Sequence, residues 1–182
     1  PDLGDAFWTT CTLIAGCAGI VWITGVGTSA AMGSRFAHSL TYCGVRSVFM
    51  SPDIGLHGHS GAMSPGEVLV AISRGGESGE VNSMAAIGNS RGLETIAFAM
   101  NMESTLARTC RHVLPLPSPQ EYEVGGYCAT TSTVVCAALC DAIAAVTLKL
   151  KGYTIEEFRG THPGGAVGKS MNTPTPNPGD TT

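Results

Sequence analysis

Five short apolar segments alternate with amphipathic segments along most of this 182-residue chain. Predicted strands lie at residues 20–24, 45–50, 67–73, 93–100 and 112–116. Predicted helices lie at residues 29–42, 78–91, 104–110 and 131–151. Uniformly apolar strands that alternate with helices are typical of a parallel sheet covered on both faces. The pattern therefore predicts an α/β fold: a three-layer α/β/α sandwich with a five-stranded parallel sheet of the flavodoxin-like kind.

The length of the chain suits a single domain, which we place at residues 1–170 with a short lead-in at 1–17. Residues 171–182 are rich in Pro and Thr and lack a core pattern, so we expect a flexible tail there. The apolar run at 11–24 is too short to cross a bilayer, and no basic segment precedes it. We therefore expect no membrane association.

Composition argues against several functional classes. The formal net charge is −4 and the basic residues are scattered, which disfavours a nucleic-acid partner. The seven cysteines are odd in number and form no C-x-x-C motif, so we interpret them as reduced side chains in a cytoplasmic protein. His57 and His59 have no third ligand nearby in the sequence, so no metal site is expected.

Three glycine-rich or hydroxyl-rich segments begin predicted helices where strands end, which is where such sheets bind ligands. Glycines allow a close approach of the backbone to an anion, and a helix start offers free N–H groups. Together the segments predict an oxyanion cradle for a phosphate group, although each could be only a tight turn or a helix cap. The predicted phosphate- and substrate-binding residues are Gly27, Thr28, Ser29, Ser73, Arg74, Glu77, Ser78, Thr130, Thr131, Ser132 and Thr133.

Two nucleotide-binding motifs are alternatives for the first segment. Gly25-x-Gly27-x-x-Ala30 is similar to a dinucleotide fingerprint, which would make the chain a nicotinamide-dependent dehydrogenase. That enzyme needs an acid at the end of strand two, whereas here Asp53 comes only after Pro52. No Gly-Lys-Ser/Thr sequence is present, which argues against a nucleoside triphosphate P-loop.

Several acid–base groups fall near the predicted cradle. Aldose–ketose isomerisation needs a base that takes a proton from the carbon beside a carbonyl, and a carboxylate with a raised pKa suits that role. Each candidate taken alone could equally be a solvated surface residue. The candidates are Glu77, Glu80, Glu121, His57 and His162.

The order of these motifs resembles the sugar isomerase (SIS) domain family, and within it the D-arabinose 5-phosphate isomerase branch. The resemblance runs from about residue 18 to 170, and its most specific part is the last motif. The motifs are Gly25-x-Gly-x-Ser29-x-x-x-Gly33, Leu56-His57-Gly58, Ser73-x-x-Gly76-Glu77-Ser78-x-Glu80, Glu121 with the hydroxyls at 130–133, and Thr161-His162-Pro-Gly-Gly-Ala-Val-Gly168.

The resemblance implies an isomerase that acts on a phosphorylated sugar by enediol proton transfer, without a cofactor, as a homodimer or homotetramer. It assigns the acid–base chemistry to Glu80 and Glu121. It assigns ring opening or proton transfer to His162, which would reach the site of a neighbouring subunit, and it makes His57 a second active-site histidine.

The chain also departs from the family pattern. Thr28 stands where the family has a functional lysine, and His59 where the family commonly has an aspartate. Arg74 lies in a loop where the family has Ser-Asn-Ser-Gly-Glu-Ser, and it would replace the missing charge if it points inward. The helices that precede the first strand in the family are expected to be largely missing. The alternative function is therefore a domain that binds or senses a sugar phosphate without turnover.

Overall fold

Five parallel strands pair in the order β2-β1-β3-β4-β5 in the computed structural model, which describes residues 3–117 and 122–172. The flavodoxin-like sandwich predicted from the sequence is confirmed. The register pairs Ile23 of β1 with Phe49 of β2 and with Val70 of β3. The strands are β1 (Val21–Gly25), β2 (Ser47–Phe49), β3 (Val68–Ile72), β4 (Glu94–Ala99) and β5 (His112–Pro115).

Helices cover both faces of the sheet. α1, α2 and α6 pack together on one face, while α3, α4, α5 and a 3₁₀ turn at His59–Ala62 pack on the other. The helices are α1 (Leu3–Gly16), α2 (Thr28–Tyr42), α3 (Pro52–Leu56), α4 (Gly79–Ser90), α5 (Thr105–Thr109), α6 (Thr131–Lys151), α7 (Ile155–Thr161) and α8 (Gly165–Asn172).

Burial on both faces explains why the central strands are apolar at every position. Every residue of β1 and β3 is buried. Successive side chains of a strand point to opposite faces. Val70 therefore joins the core under α2 and α6, whereas Leu69 packs with Met84 of α4 on the other side.

Residues 3–16 differ from the short lead-in predicted from the sequence, because they form the helix α1. Ala6, Thr10 and Ile14 recur at four-residue intervals and are all buried, as one face of a helix requires. The threonines in this segment weaken its apolar pattern, which obscured the helical period. α1 packs against α6 and β5.

α6 is long and apolar enough to span a membrane by length and composition alone. In this structure one face of α6 packs in the core, where Cys136, Cys140 and Ile143 join the main hydrophobic cluster beneath α1 and α2, while Val134 on another face is exposed. The seven cysteines of the chain are all free, and five of them are buried. α8 continues to Asn172, two residues beyond the predicted domain boundary, and most of the predicted tail lies outside the described residues.

Candidate functional site

A cavity of about 80 Å³ opens at the carboxyl edge of the sheet. Its lining residues come from the segments that follow β1, β3, β4 and β5 and from the start of α6, so the three predicted segments converge there. This is the edge where open parallel sheets bind their ligands. The lining residues are Thr28, Ser29, Met32, Ile72, Arg74, Met100, Leu116, Ala129, Ser132, Thr133 and Cys136.

The first segment is a tight turn from β1 into α2. Gly27 has a φ of 56°, a left-handed conformation that favours glycine. It precedes Thr28, the first residue of α2, and as a glycine it offers no side chain to cap the N–H groups of that helix. Thr28 and Ser29 line the cavity at this helix start. The turn therefore leaves the positive end of α2 available to an anion.

The second segment joins β3 to α4. Ser73, buried at the end of β3, lies with its Oγ 3.2 Å from the Oγ of Ser78, the residue before α4. Gly76, between them, has a φ of 72°, and a Cβ at this position would collide with Ser104. The turn consequently requires glycine at position 76. Neither serine is among the residues that line the cavity, although Ile72 and Arg74, on either side of Ser73, both line it.

Arg74 points inward from this turn. Its Nε lies 3.3 Å from the Sδ of Met100 and 3.6 Å from a carboxylate oxygen of Glu123, and 28% of its side chain is exposed. Arg74 and Met100 also line an adjoining open depression of about 400 Å³, together with Asn101 and Tyr127. Arg74 thus supplies a positive charge where the cavity and the adjoining depression meet.

A buried carboxylate that the sequence analysis missed lies just before the third segment. Glu123, whose side chain is fully buried, binds the start of α6. One carboxylate oxygen accepts the N–H of Thr130 at 2.6 Å and its hydroxyl at 3.1 Å, and the other accepts the N–H of Ser132 at 3.1 Å. The hydroxyl of Ser132, together with these N–H groups, lowers the pKa of Glu123 to about 2.

A turn of the chain brings Glu123 to this position. Gly125 and Gly126 both have positive φ values, and Val124 pairs with Cys128 across the turn. The only sequence signal for Glu123 was an acidic residue shortly before a helix, where the helix dipole favours negative charge.

The neighbouring hydroxyls of the third segment also have local partners. Thr131 Oγ1 donates to the carbonyl oxygen of Tyr122 at 2.5 Å, and Thr133 Oγ1 donates to that of Ala129 at 3.1 Å. They are not helix-cap contacts, because the hydroxyls donate to carbonyl oxygens, and the side chain of Thr130, the residue before α6, makes no cap hydrogen bond to the helix N–H groups. The helix-cap alternative for the 130–133 run is therefore not supported. Ser132 and Thr133 line the cavity.

The structure does not bring the two acidic residues of the second segment into the cavity lining. Both carboxylate oxygens of Glu77 accept from Thr105, one from its N–H and one from its hydroxyl. These hydrogen bonds lower the pKa of Glu77 and tie it to the start of α5. The prediction that Glu77 contacts substrate therefore finds no support in its placement. Glu80 is exposed in the first turn of α4.

The histidines lie apart from the cavity in a single chain, and Glu121 lies outside the described residues. His57 is exposed at the end of α3. His162 stacks on Phe158 with ring centroids 3.7 Å apart, and its edge faces Tyr42, the last residue of α2. Ser29 lies at the other end of that helix, about 20 Å from Tyr42 at 1.5 Å per residue.

Comparison with known proteins gives one family. The model of the SIS domain matches residues 16–146. Arabinose 5-phosphate isomerase KdsD of Yersinia pestis is 32% identical over 169 residues, which cover 93% of this chain and 52% of that protein. KdsD of Pseudomonas aeruginosa has the same identity and coverage. The chain therefore spans about half the length of these curated relatives.

Solved structures show the same fold. E. coli CFT073 c3406 in complex with arabinose 5-phosphate superimposes with a TM-score of 0.83 at 26% identity, over 90% of this chain and 86% of that one. The Vibrio vulnificus NanR protein complexed with ManNAc-6P gives a TM-score of 0.74 at 18% identity, over 87% and 59%. The second likeness is one of fold alone.

Proposed function

Because the chain belongs to the SIS domain family, we propose that its cavity binds a phosphorylated sugar and that the protein interconverts the aldose and ketose forms of that sugar. The observation that carries the proposal is the convergence of three segments on one cavity at the carboxyl edge of the sheet. The likeness to a structure in complex with arabinose 5-phosphate supports a pentose phosphate of the D-arabinose 5-phosphate and D-ribulose 5-phosphate kind.

The phosphoryl group would lie against the start of α2. The free N–H groups of that helix and the hydroxyls of Thr28 and Ser29 can donate to its oxygens. Arg74 faces the same cavity and would provide the positive charge that the family lysine provides at position 28. A guanidinium binds phosphate oxygens through paired N–H groups, so the exchange would retain a charge-assisted contact.

The reaction needs only proton transfers. A base removes the proton from the carbon beside the carbonyl, and the resulting enediol is protonated at the neighbouring carbon, so no redox cofactor takes part. We assign these transfers to Glu80 and Glu121, with His57 and His162 assisting ring opening. Glu80 supports this assignment by its exposed position in the first turn of α4, next to Ser78.

An oligomer would complete the site. His162 packs at the far end of α2 from Ser29, so it would serve the site of a neighbouring subunit in a homodimer or homotetramer. Exposed apolar side chains support such an assembly: Trp8 is 55% exposed, Val134 69% and Tyr127 78%. The free cysteines favour a reducing, cytoplasmic setting.

A second candidate function is a domain that binds the sugar phosphate without turning it over. Thr28 in place of the family lysine favours this alternative. The composition of the cavity lining also favours it, because none of Glu80, His57 and His162 lines the cavity of a single chain. The two functions share the phosphate site and differ only in chemistry.

Proton NMR in deuterated water separates these functions. The purified protein is mixed with a panel of four- to six-carbon sugar phosphates, and exchange of the proton beside the carbonyl is followed with time. Exchange that disappears in Glu80→Gln and Glu121→Gln, but persists in the control Glu156→Gln on α7, is the expected result. Binding of a sugar phosphate without exchange or new product signals would instead establish the non-catalytic domain.

A further inference from the structure

Of the two helix starts that contribute residues to the cavity lining, those of α2 and α6, the start of α6 already holds an anion. The carboxylate of Glu123 accepts the N–H groups of Thr130 and Ser132, the two groups that a bound phosphate would use at the start of α6. Its side chain has no solvent-exposed area, so its charge is screened less than that of a surface carboxylate. By contrast, the start of α2 is preceded by Gly27, which has no side chain. A phosphoryl group in the cavity can therefore use the N–H groups at the start of α2, whereas those at the start of α6 are already taken.

The same carboxylate faces the only positive side chain in the cavity lining of the described residues. Glu123 Oε1 lies 3.6 Å from Arg74 Nε, within ion-pair distance. A neighbouring negative charge reduces the potential that a guanidinium offers to a third, anionic group. Arg74 and Glu123 together contribute close to zero net charge at the site.

We infer that Glu123 is an internal counter-ion of the phosphate site, which limits its affinity for the phosphoryl group and directs that group to the start of α2. The inference rests on the proposed phosphate site, and it does not depend on turnover. Its physical cause is repulsion between the Glu123 carboxylate and a phosphoryl group in the cavity that its partners Arg74 and Ser132 line. At an effective dielectric constant of about 20 and a separation of about 10 Å, that repulsion amounts to roughly tenfold in affinity.

The test is Glu123→Gln with inorganic phosphate as the probe. The amide keeps the shape of the side chain and one carbonyl oxygen that can accept from the start of α6, but it removes the charge. Titration calorimetry at constant ionic strength should show phosphate binding at least about tenfold tighter than in the unmodified protein. Glu94→Gln is the matched control, since Glu94 begins β4 at the opposite edge of the sheet and pairs there with His112. It should leave the affinity unchanged.

Glu123→Asp distinguishes the two roles of this residue, which are the negative charge that repels phosphate and the hydrogen bonds that stabilise the start of α6. It keeps the negative charge but shortens the side chain, so it should lower the melting temperature without tightening phosphate binding. A gain in affinity in both Glu123→Gln and Glu123→Asp, or in neither, would overturn the inference. No phosphate binding by any of these proteins would overturn the phosphate site and the inference together, whereas failure of the isomerase assay alone would leave the inference standing.

Arg74→Gln provides a second route should Glu123→Gln not fold. Arg74 is partly exposed, and its replacement leaves the hydrogen bonds at the start of α6 in place. The unbalanced charge of Glu123 should then weaken phosphate binding by at least about tenfold. An affinity equal to that of the unmodified protein would refute a counter-ion role for the pair.

Discussion

The side-chain oxygens of Ser73 and Ser78 lie 3.2 Å apart across the turn that leads from β3 into α4. Ser73 is buried and directly follows β3, and Ser78 immediately precedes α4. Gly76 occupies the middle of this turn in a left-handed conformation, packed against Ser104. The hydrogen bond thus connects the rigid sheet to the start of α4 and fixes the loop from which Arg74 points into the cavity.

Ser73→Ala should loosen this loop and weaken phosphate binding. Loss of one partly buried hydrogen bond costs about 1 kcal/mol, or roughly fivefold in affinity. Titration calorimetry with inorganic phosphate measures the change. Ser90→Ala is the matched control, because Ser90 lies at the opposite end of α4 and donates to Ile87 on the exposed surface. Equal affinities in the two variants would exclude a role for the serine pair in the site.

Arg74→Ala should reduce sugar-phosphate affinity by about ten- to hundredfold, since a charged hydrogen bond to phosphate contributes about 1.5–3 kcal/mol. The control Arg111→Ala removes the same charge from the opposite edge of the sheet, where Arg111 pairs with Glu94. A thermal-shift titration with arabinose 5-phosphate reports both affinities. If Arg74→Ala binds as well as Arg111→Ala, then Arg74 does not replace the family lysine.

Acid should destabilise the protein through Glu123. Hydrogen bonds from the Ser132 hydroxyl and from Thr130 lower its folded-state pKa from 4.5 to about 2. A carboxyl whose pKa falls on folding contributes stability above its unfolded pKa, and that contribution is lost as the pH falls towards the folded pKa. The free energy of unfolding should therefore decline between about pH 5 and pH 2, and less steeply in Glu123→Gln. Urea unfolding at several pH values gives both slopes, and parallel slopes would contradict this account.

His162→Ala and Glu80→Gln should each be inactive alone and regain activity when they are mixed. If a histidine serves the neighbouring subunit, a hybrid dimer carries one intact site, and random mixing should recover about a quarter of the activity. The measurement is the isomerase assay after co-refolding equal amounts of the two variants. Recovery no greater than the sum of the separate activities would place His162 outside the site of its neighbour.

The strands were predictable because both of their faces are covered, so each appears as an unbroken apolar run. β2 was predicted at 45–50 but pairs only over Ser47–Phe49, since it is an edge strand with a single neighbour. α3 and the 3₁₀ turn were not predicted. Their Pro52, Gly55 and Gly58 are typical of loops, and only packing against α4 explains these short helical segments.

The site was predictable in part for the same topological reason. Segments that follow parallel strands must meet at one edge, which placed Ser29 and Arg74 together. Glu123 could not be predicted, because it reaches Thr130 only after the chain reverses at Gly125 and Gly126. The position of His162 depends on how α7 folds back onto the end of α2, which no spacing between motifs reveals.

The length of α2 separates Ser29 from the contact between Tyr42 and His162. If His162 takes part in the reaction, as we propose, then the cavity and the histidine of one chain lie at opposite ends of one helix, and a second chain has to supply the histidine. Under that proposal, isomerase activity depends on protein concentration: on dilution below the dissociation constant of the assembly, turnover per chain should fall while every chain remains folded. Phosphate binding, which needs only the cavity of one subunit, would persist at the same dilution.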